Sequence, residues 1–204
     1  RCGLSEKTIN NVAKKNNFEN YIIPVFSCQL AQDCELHKKK LSGRKFLELK
    51  LDGVRAITVV YPNGKIDIFS RNGKELNNFD HLKNEINRLL DINLVSKPII
   101  FDGEIVSEDF QSLMKQIHRK NSLQNKDAKL FIFDFLPLED FKNGIYEKTF
   151  EDRINLLKKF YEKSFSESKL IRLMDSLSVD LDTENGKDEF KKFNSESIIN
   201  GYEG

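Results

Sequence analysis

The stretch over residues 56–70 constrains the fold more than any other part of the sequence, because it predicts two short strands joined by a tight turn. An apolar, β-branched run over 56–61 is followed by Pro62-Asn63-Gly64 and then by a second apolar run over 66–70. Branched side chains favour strands, and an Asn-Gly step favours the positive φ angles of hairpin turns. We therefore predict an antiparallel hairpin here, with further strands over 98–106 and 129–136.

Helical patterns separate the predicted strands. Apolar residues over 110–117 fall at the spacing of one helical face, and further helices are predicted over 81–91 and up to about residue 201. Thr149 and Asp152 resemble a capping box, which marks a helix start, and Ser5 is placed to cap a helix over 6–15. Hairpins with helices between them predict an α+β fold of mostly antiparallel sheets flanked by helices.

The composition excludes several classes of protein. With 39% hydrophobic and 32% charged residues the chain is predicted to be globular, and it holds no apolar run long enough to span a bilayer. Its cysteines (Cys2, Cys28 and Cys34) lack zinc-site spacing, so reduced thiols and a cytoplasmic location are expected. The net charge is only +1, so a nucleic-acid contact would need a local patch such as the basic cluster over 38–45. Such a run is more commonly a solvated face.

The segment Lys50-Leu51-Asp52-Gly53-Val54-Arg55 carries the strongest chemical implication. Alternation over 45–51 predicts a strand that buries the leucines and presents Glu48 and Lys50 together. Lysine is an ammonium ion at neutral pH and becomes nucleophilic when desolvation and neighbouring cations lower its pKa. Gly53 would permit a tight turn and the approach of a phosphate. The alternative is an ordinary hairpin flanked by solvated Lys50 and Arg55.

Further segments follow in a defined order, namely Ser70-Arg71-Asn72-Gly73, Phe101-Asp102-Gly103-Glu104, Phe131-Ile132-Phe133-Asp134-Phe135-Leu136 and Glu203-Gly204. With the lysine segment, this series resembles the motifs of covalent nucleotidyltransferases over roughly residues 24–204. The Ser-Arg-Asn-Gly segment is more typical of ATP-dependent DNA ligases than of capping enzymes. The resemblance implies the nucleotidyltransferase (ATP-grasp-like) adenylation domain of such a ligase.

Three other segments resemble bacteriophage DNA ligases of the T-even type, namely residues 3–10, Gln29-Leu30-Ala31 and Phe135-Leu136-Pro137-Leu138. In that family a helical DNA-binding domain precedes the adenylation domain and an OB domain follows it. The resemblance implies that residues 1–24 are the end of the helical domain with a linker, and that residues 25–204 are the adenylation domain. The last ligase motif and the OB domain would then lie beyond Gly204, and we expect residues 1–204 alone to be poorly active.

The resemblance also implies catalytic roles. Lys50 would attack the α-phosphorus of ATP and carry the AMP. Asp52 would orient the site or help to activate the attacking 3′-hydroxyl, and Arg55 would hold phosphates through its planar fork. Arg71 would bind both AMP and the 5′-phosphate of a nick, although its Asn-Gly turn could equally lie at the surface.

A second set of residues would bind the nucleotide and a metal ion. Phe133 would stack on adenine, Glu48 would sit near the adenine edge, and Leu49 would contact ATP or AMP. Glu104 would bind the ribose or Mg²⁺, and Glu203 would help to position the metal ion. Each has an alternative: Phe133 could simply pack in the core, and Glu104 could be a solvated residue after a turn. The dipeptide Glu203-Gly204 supports the resemblance only through its place at the end of the motif series.

The expected activity is therefore the sealing of nicked double-stranded DNA in replication, repair or recombination, with ATP and Mg²⁺, by a cytoplasmic monomer. In a virus-encoded protein the compartment would be the host cytoplasm. Two rival functions stay open at this point. One is an RNA ligase or capping guanylyltransferase, and the other is a non-catalytic nucleic-acid-binding scaffold that keeps the fold.

Overall fold

The structure is a computed structural model that describes residues 6–18, 28, 36–108 and 127–202. Within these residues no helix is both long and apolar enough to cross a membrane. Three predicted features lie outside the described residues: the helix over 110–117, the helix cap at Ser5, and the motif segment Glu203-Gly204. The predicted domain boundary after residue 24 also lies outside them and stays a prediction.

A five-stranded sheet forms the centre of the fold. Its strands are β2 (Val54–Val60), β3 (Ile66–Phe69), β4 (Ile99–Val106), β5 (Lys129–Pro137) and β6 (Ile171–Leu173), in the order β3-β2-β4-β5-β6. All neighbours are antiparallel except β5 and β6, which are parallel. The predicted hairpin is confirmed, since Val60 pairs with Ile66 across the turn and Gly64 has a φ angle of 81°. The strands predicted over 98–106 and 129–136 are confirmed as well.

A second, two-stranded sheet stands apart from the first. It pairs β1 (Arg44–Leu47) with β7 (Leu177–Asp180), antiparallel. The predicted strand over 45–51 was therefore too long, because regular pairing ends at Leu47 and Glu48 to Lys50 continue without strand pairing. Strands β1 and β2 lie in different sheets and do not pair with each other, so the alternative of an ordinary hairpin around Asp52-Gly53 is wrong.

Five α-helices lie within the described residues: α1 (Glu6–Lys15), α2 (Asp80–Leu89), α3 (Leu138–Asn143), α4 (Phe150–Ser164) and α5 (Glu184–Ile199). The capping box is confirmed, because Thr149 Oγ1 accepts from the Asp152 amide at 3.2 Å while the Asp152 carboxylate accepts from the Thr149 amide at 3.3 Å. Two 3₁₀ turns cover Lys38–Lys40 and Ile92–Leu94. The α+β expectation of mostly antiparallel sheets flanked by helices is confirmed.

The two faces of the large sheet have different coverings. One face packs on α2 and α4 in the main core, which includes Val60, Ile68, Phe101, Leu130, Ile132, Leu82, Ile86, Ile154 and Leu157. At one end of the opposite face, a smaller cluster joins Ile57, Val59 and Ile100 to Leu138 and Phe141 of α3. Alternation along β2 places Arg55 on this second face.

The pairing of β4 with β5 is interrupted by a β-bulge. Asp102 pairs with Asp134, but the next residue, Gly103, pairs with Ile132, so Phe133 is the extra residue. Bulges bend a strand and re-aim a side chain, and they are frequent next to functional sites. A Cβ atom on Gly103 would overlap the Phe131 carbonyl oxygen, so glycine is what permits the close strand approach beside the bulge.

Candidate active site

A cleft of about 610 Å³ opens beside the uncovered part of the large sheet. Its volume is in the usual range for small-molecule sites. The cleft brings together seven of the nine predicted site residues: Glu48, Leu49, Lys50, Asp52, Arg55, Glu104 and Phe133. Residues far apart in sequence therefore line one cleft.

Lys50 lies in the irregular segment that joins β1 to β2, and its side chain is exposed. The leucines on either side, Leu49 and Leu51, are half-buried and line the cleft, which anchors the backbone around Lys50. The desolvation that the sequence argument expected to activate the lysine is therefore not supplied by the described residues. A bound substrate would have to supply it.

Gly53 is required for a different reason from the one expected. Its φ angle is outside the positive region, so it does not serve a tight left-handed turn. A Cβ atom at this position would instead overlap the Ile105 carbonyl oxygen and lie 2.8 Å from Cγ of Glu104. The missing side chain lets the lysine segment lie directly against β4.

Arg55 is held by a carboxylate that the sequence analysis did not single out. Its Nε and Nη2 atoms donate to Oδ1 and Oδ2 of Asp102 at 2.5 and 2.6 Å. Burial raises the pKa of Asp102, and the bidentate bond from Arg55 opposes that rise. Asp102 could have been found from sequence, because it precedes Glu104 by two residues and a strand places such residues on one face.

Phe133 faces the cleft through the bulge. Its ring centre lies 4.6 Å from the guanidinium carbon of Arg55, and the side chain is half-buried. Phe133 is therefore not part of the buried core, and its stacking on adenine stays a prediction. Phe131 lines a neighbouring cleft that also contains Lys50 and Tyr202.

Two half-buried carboxylates of the cleft, Glu48 and Glu104, have raised pKa values. Burial raises the pKa of Glu48 to about 7, although the nearby Ser176 hydroxyl has a smaller, opposite effect on this pKa. Neither Oε1 of Glu48 nor Oγ of Ser176 has a partner at hydrogen-bond geometry within the described residues. Burial also raises the pKa of Glu104 to about 7, with Arg55 opposing the rise. A buried carboxylate oxygen without a donor is suited to receive an N–H group from a ligand.

Mg²⁺ fits the donors that this cleft offers. Asp52 is close enough to Glu104 to raise its pKa, so two carboxylates approach the same region. In the part of the chain that the structure describes, no three acidic, histidine or cysteine side chains gather closely enough to hold a metal by themselves. Mg²⁺ commonly takes one or two carboxylates and completes its shell with substrate phosphates and water.

Arg71 is a predicted site residue that does not line this cleft. Arg71 is exposed in the turn after β3, where the Gly73 amide donates to the Ser70 carbonyl at 2.9 Å. Glu203 lies outside the described residues, so its proposed metal role stays a prediction.

A second ion pair borders the cleft and was also missed. Arg153 of α4 donates to both oxygens of Asp134 at 2.8 and 2.9 Å. Asp134 was part of a quoted motif, but no local spacing connects it to Arg153. Only the packing of α4 against β5 brings the two together.

Known proteins resemble this chain in sequence and in fold. The family model described as ATP dependent DNA ligase domain matches residues 28–204. A DNA ligase of Ignicoccus hospitalis is 28% identical over 183 residues, covering 81% of this chain and 27% of that protein. The solved structure named Pmar-Lig_PreS3 is 45% identical with a TM-score of 0.84, covering 100% of this chain and 46% of its own. The Chlorella virus DNA ligase-adenylate is 20% identical with a TM-score of 0.52, covering 77% of this chain and 50% of its own. This chain thus spans half or less of the length of each.

Proposed function

This chain belongs to the ATP-dependent DNA ligase domain family, and from that membership we propose that Lys50 is the nucleophile that takes AMP from ATP during strand joining. The observation that carries the proposal is a single cleft that holds Lys50, Asp52 and Arg55 beside Glu104 and Phe133. The chain would act as the adenylation domain of a larger ligase.

In the first step, Nζ of Lys50 attacks the α-phosphorus of ATP after losing a proton. A P–N bond forms, the bond from the α-phosphorus to the bridging oxygen breaks, and pyrophosphate leaves with the electron pair. Arg55 would bind phosphate oxygens through its remaining donors, because Asp102 accepts from Nε and Nη2 and so fixes the direction of the guanidinium group. The phosphates would cover the exposed Lys50 amine and exclude water from it, while Mg²⁺ and Arg55 would offset the phosphate charge that otherwise favours the ammonium form.

Adenine would bind at the inner end of the cleft. Phe133 and half-buried Leu49 line the same cleft, and the face of the Phe133 ring opposite Arg55 would be the stacking surface. When ionised, the unpartnered Oε1 of Glu48 would accept from the exocyclic amine of adenine. Guanine carries a carbonyl oxygen there, which would leave two acceptors facing each other.

Mg²⁺ would be held by Glu104, with Asp52 beside it, and would supply charge stabilisation to the phosphate oxygens. Glu203 is the further ligand that the resemblance implies. In the two later steps AMP moves from Lys50 to the 5′-phosphate of a nick, and a 3′-hydroxyl then displaces it. Exposed Arg71 is accessible to bind that 5′-phosphate, and Asp52 could assist the 3′-hydroxyl.

The setting that completes the proposal is nick sealing in double-stranded DNA during replication, repair or recombination. The resemblance to T-even ligases adds a bacteriophage source, a monomer and the host cytoplasm. These points rest on the motif resemblance rather than on the geometry of the cleft.

The test uses the protein as encoded, including whatever precedes Arg1 and follows Gly204, with Mg²⁺ and ATP or GTP labelled at the α-phosphate. Acid-labile, base-stable label from ATP is expected, and it should be absent from Lys50→Ala. Lys45→Ala is the matched control, because Lys45 lines the same cleft but is expected to keep the label. Nicked DNA, and not nicked RNA, should discharge the adduct. Label from GTP would indicate a capping enzyme, discharge by RNA an RNA ligase, and no label a scaffold.

A further inference from the structure

Two aspartates face each other directly across the centre of the large sheet. Asp102 of β4 and Asp134 of β5 are register partners, so their side chains point to the same face. Like charges directly opposite each other in a sheet are destabilising, and here both carboxylates are largely buried. Each aspartate has its own arginine: Arg55 pairs with Asp102, and Arg153 pairs with Asp134.

Arg153 makes more contacts than a surface ion pair would. Its guanidinium donates two bonds to Asp134 and a third to the Lys148 carbonyl oxygen at 3.0 Å. It also lies 5.5 Å from the ring centre of Phe150, which lines the cleft. The side chains of Arg153 and Asp134 are only 16% and 14% exposed, so solvent screens this pair weakly.

The pair lies next to the bulge. Asp134 directly follows Phe133, the extra residue of β5, and its Oδ1 accepts from the Phe135 amide at 2.8 Å as well as from Arg153. An extra residue has no partner in the ladder, so its direction depends on the residues that flank it. A fixed Asp134 therefore fixes the backbone from which Phe133 projects.

We propose that Arg153 is a positioning residue for the nucleotide site: by neutralising Asp134 it keeps Phe133 aimed into the cleft and leaves Arg55 paired with Asp102. The effect on nucleotide binding rests on the proposed function, whereas the effect on Phe133 does not. Without Arg153, an uncompensated carboxylate would lie opposite Asp102, and the Arg55 guanidinium would be drawn away from its partner. The contrasting view is that Arg153 only braces the start of α4.

The first experiment reports on Phe133 without any nucleotide. The 204-residue chain contains five tyrosines but no tryptophan, so Phe133→Trp introduces a single tryptophan at the bulge that can be excited selectively. Adding Arg153→Gln should shift its emission to longer wavelength and increase quenching by acrylamide. The matched control is Arg88→Gln, since Arg88 also makes two bonds to one carboxylate, that of Glu85 on α2, but is itself 62% exposed. The control should leave the emission unchanged.

The second experiment separates the base site from the phosphate site, in a chain that retains Phe133. Inhibition of Lys50 labelling by AMP should weaken about tenfold in Arg153→Gln, which corresponds to ~1.4 kcal/mol. Inhibition by inorganic tripolyphosphate should weaken less, by about threefold, because it depends on the orientation of Arg55 but has no base to stack on Phe133. A residue that only braces α4 would weaken both inhibitors equally or neither.

Two further variants keep the inference testable if Arg153→Gln is unstable. Arg153→Lys keeps the charge but loses the planar fork, so an intermediate loss of AMP binding is expected. Asp134→Asn combined with Arg153→Gln removes both charges, and it should restore AMP binding to within about threefold of the parent.

The outcomes distinguish this inference from the proposed function. A folded Arg153→Gln chain with unchanged tryptophan emission and unchanged AMP inhibition would overturn the inference, while labelling of the parent still upheld Lys50. Failure of the double variant to recover, despite a melting temperature like the parent's, would also overturn it. A parent without label but with an emission shift in Arg153→Gln would sink the proposed function alone.

Discussion

The guanidinium carbon of Arg55 lies 4.6 Å from the centre of the Phe133 ring, while Nε and Nη2 of Arg55 donate to Asp102 of β4. A cation over an aromatic face is attracted by the ring quadrupole. Arg55 thus connects the carboxylate of β4 with the aromatic ring of β5, and both come from motifs that the sequence shows only as separate segments. Mutation of either partner is therefore expected to change the orientation of Arg55.

We expect Asp102→Asn to slow the labelling of Lys50 by about 100-fold, because Arg55 loses its bidentate anchor and phosphate oxygens lose an oriented fork. Removing one partner of a buried ion pair should also lower the free energy of unfolding by about 3 kcal/mol. The rate is measured with α-labelled ATP at saturation, and stability is measured by urea titration.

Asp67→Asn is the control for this variant. Asp67 is another buried carboxylate of the same sheet, but its partner is the exposed Lys65. Its loss should leave the rate of labelling unchanged. A rate for Asp102→Asn within twofold of the parent, at conditions where both proteins are folded, would show that Arg55 needs no anchor.

The elements that could be predicted from sequence are those fixed by local chemistry. The Asn63-Gly64 turn sets the hairpin, and the Thr149–Asp152 capping box sets the start of α4; both are confirmed. The cleft was predictable to the same extent, because Lys50, Arg55 and Glu104 belong to an ordered series of motifs. Arg55 and Glu104 lie close together in space because β2 pairs with β4 and places Arg55 opposite Glu104.

What could not be predicted depends on contacts between distant segments. The strand before Lys50 ends at Leu47 because its partner is β7, from the other end of the chain. The pairing of Arg153 with Asp134 depends on α4 lying against β5. The bulge at Phe133 is not marked in the sequence by a turn residue in β5. The tight-turn explanation for Gly53 was wrong for the same cause, because the close neighbour of Gly53 is Ile105 of β4. The room that Gly53 would leave for a phosphate stays a prediction.

Gly53→Ala should therefore reduce labelling of Lys50 by about 100-fold, since the added methyl group must move either β4 or the lysine segment. The overpacking should also cost ~1–3 kcal/mol of stability. Gly64→Ala is the matched control. A Cβ atom there meets nothing within 4 Å, so only its positive φ angle adds strain, and labelling should be normal. Normal labelling by Gly53→Ala would contradict the close-approach explanation.

Thr58 offers a test of the core that is separate from catalysis. It is fully buried in β2, and its hydroxyl has no hydrogen-bond partner among the described residues. Thr58→Val should raise the free energy of unfolding by about 1 kcal/mol, because a buried unsatisfied hydroxyl is removed at nearly constant shape.

The comparison variant for Thr58 is Ser168→Ala. Ser168 is also buried, but its hydroxyl donates to Glu85 at 2.8 Å and accepts from the Ile171 amide at 2.9 Å. Its removal should lower stability by about 1–3 kcal/mol. Urea titration of both variants decides the matter, and destabilisation by Thr58→Val would mean that its hydroxyl has a partner after all.

The raised pKa values of Glu48 and Glu104 predict how stability depends on pH in the absence of nucleotide. Burial raises each pKa from 4.5 to about 7. Between these values the folded chain holds protons that the unfolded chain has lost, so stability falls as pH rises through that window and levels off above about 7.

Glu104→Gln removes one of the two titrating groups and should therefore flatten this pH dependence. The loss of stability between about pH 5.5 and about pH 8 should shrink by ~1–3 kcal/mol, because an amide binds no proton at either pH. Exposed Glu162 on α4 provides the control, and Glu162→Gln should keep the full dependence of the parent. Urea titrations at both pH values measure the difference. An unchanged slope in Glu104→Gln would mean that this carboxylate is already ionised at the lower pH, and that a neighbouring cation outweighs its burial.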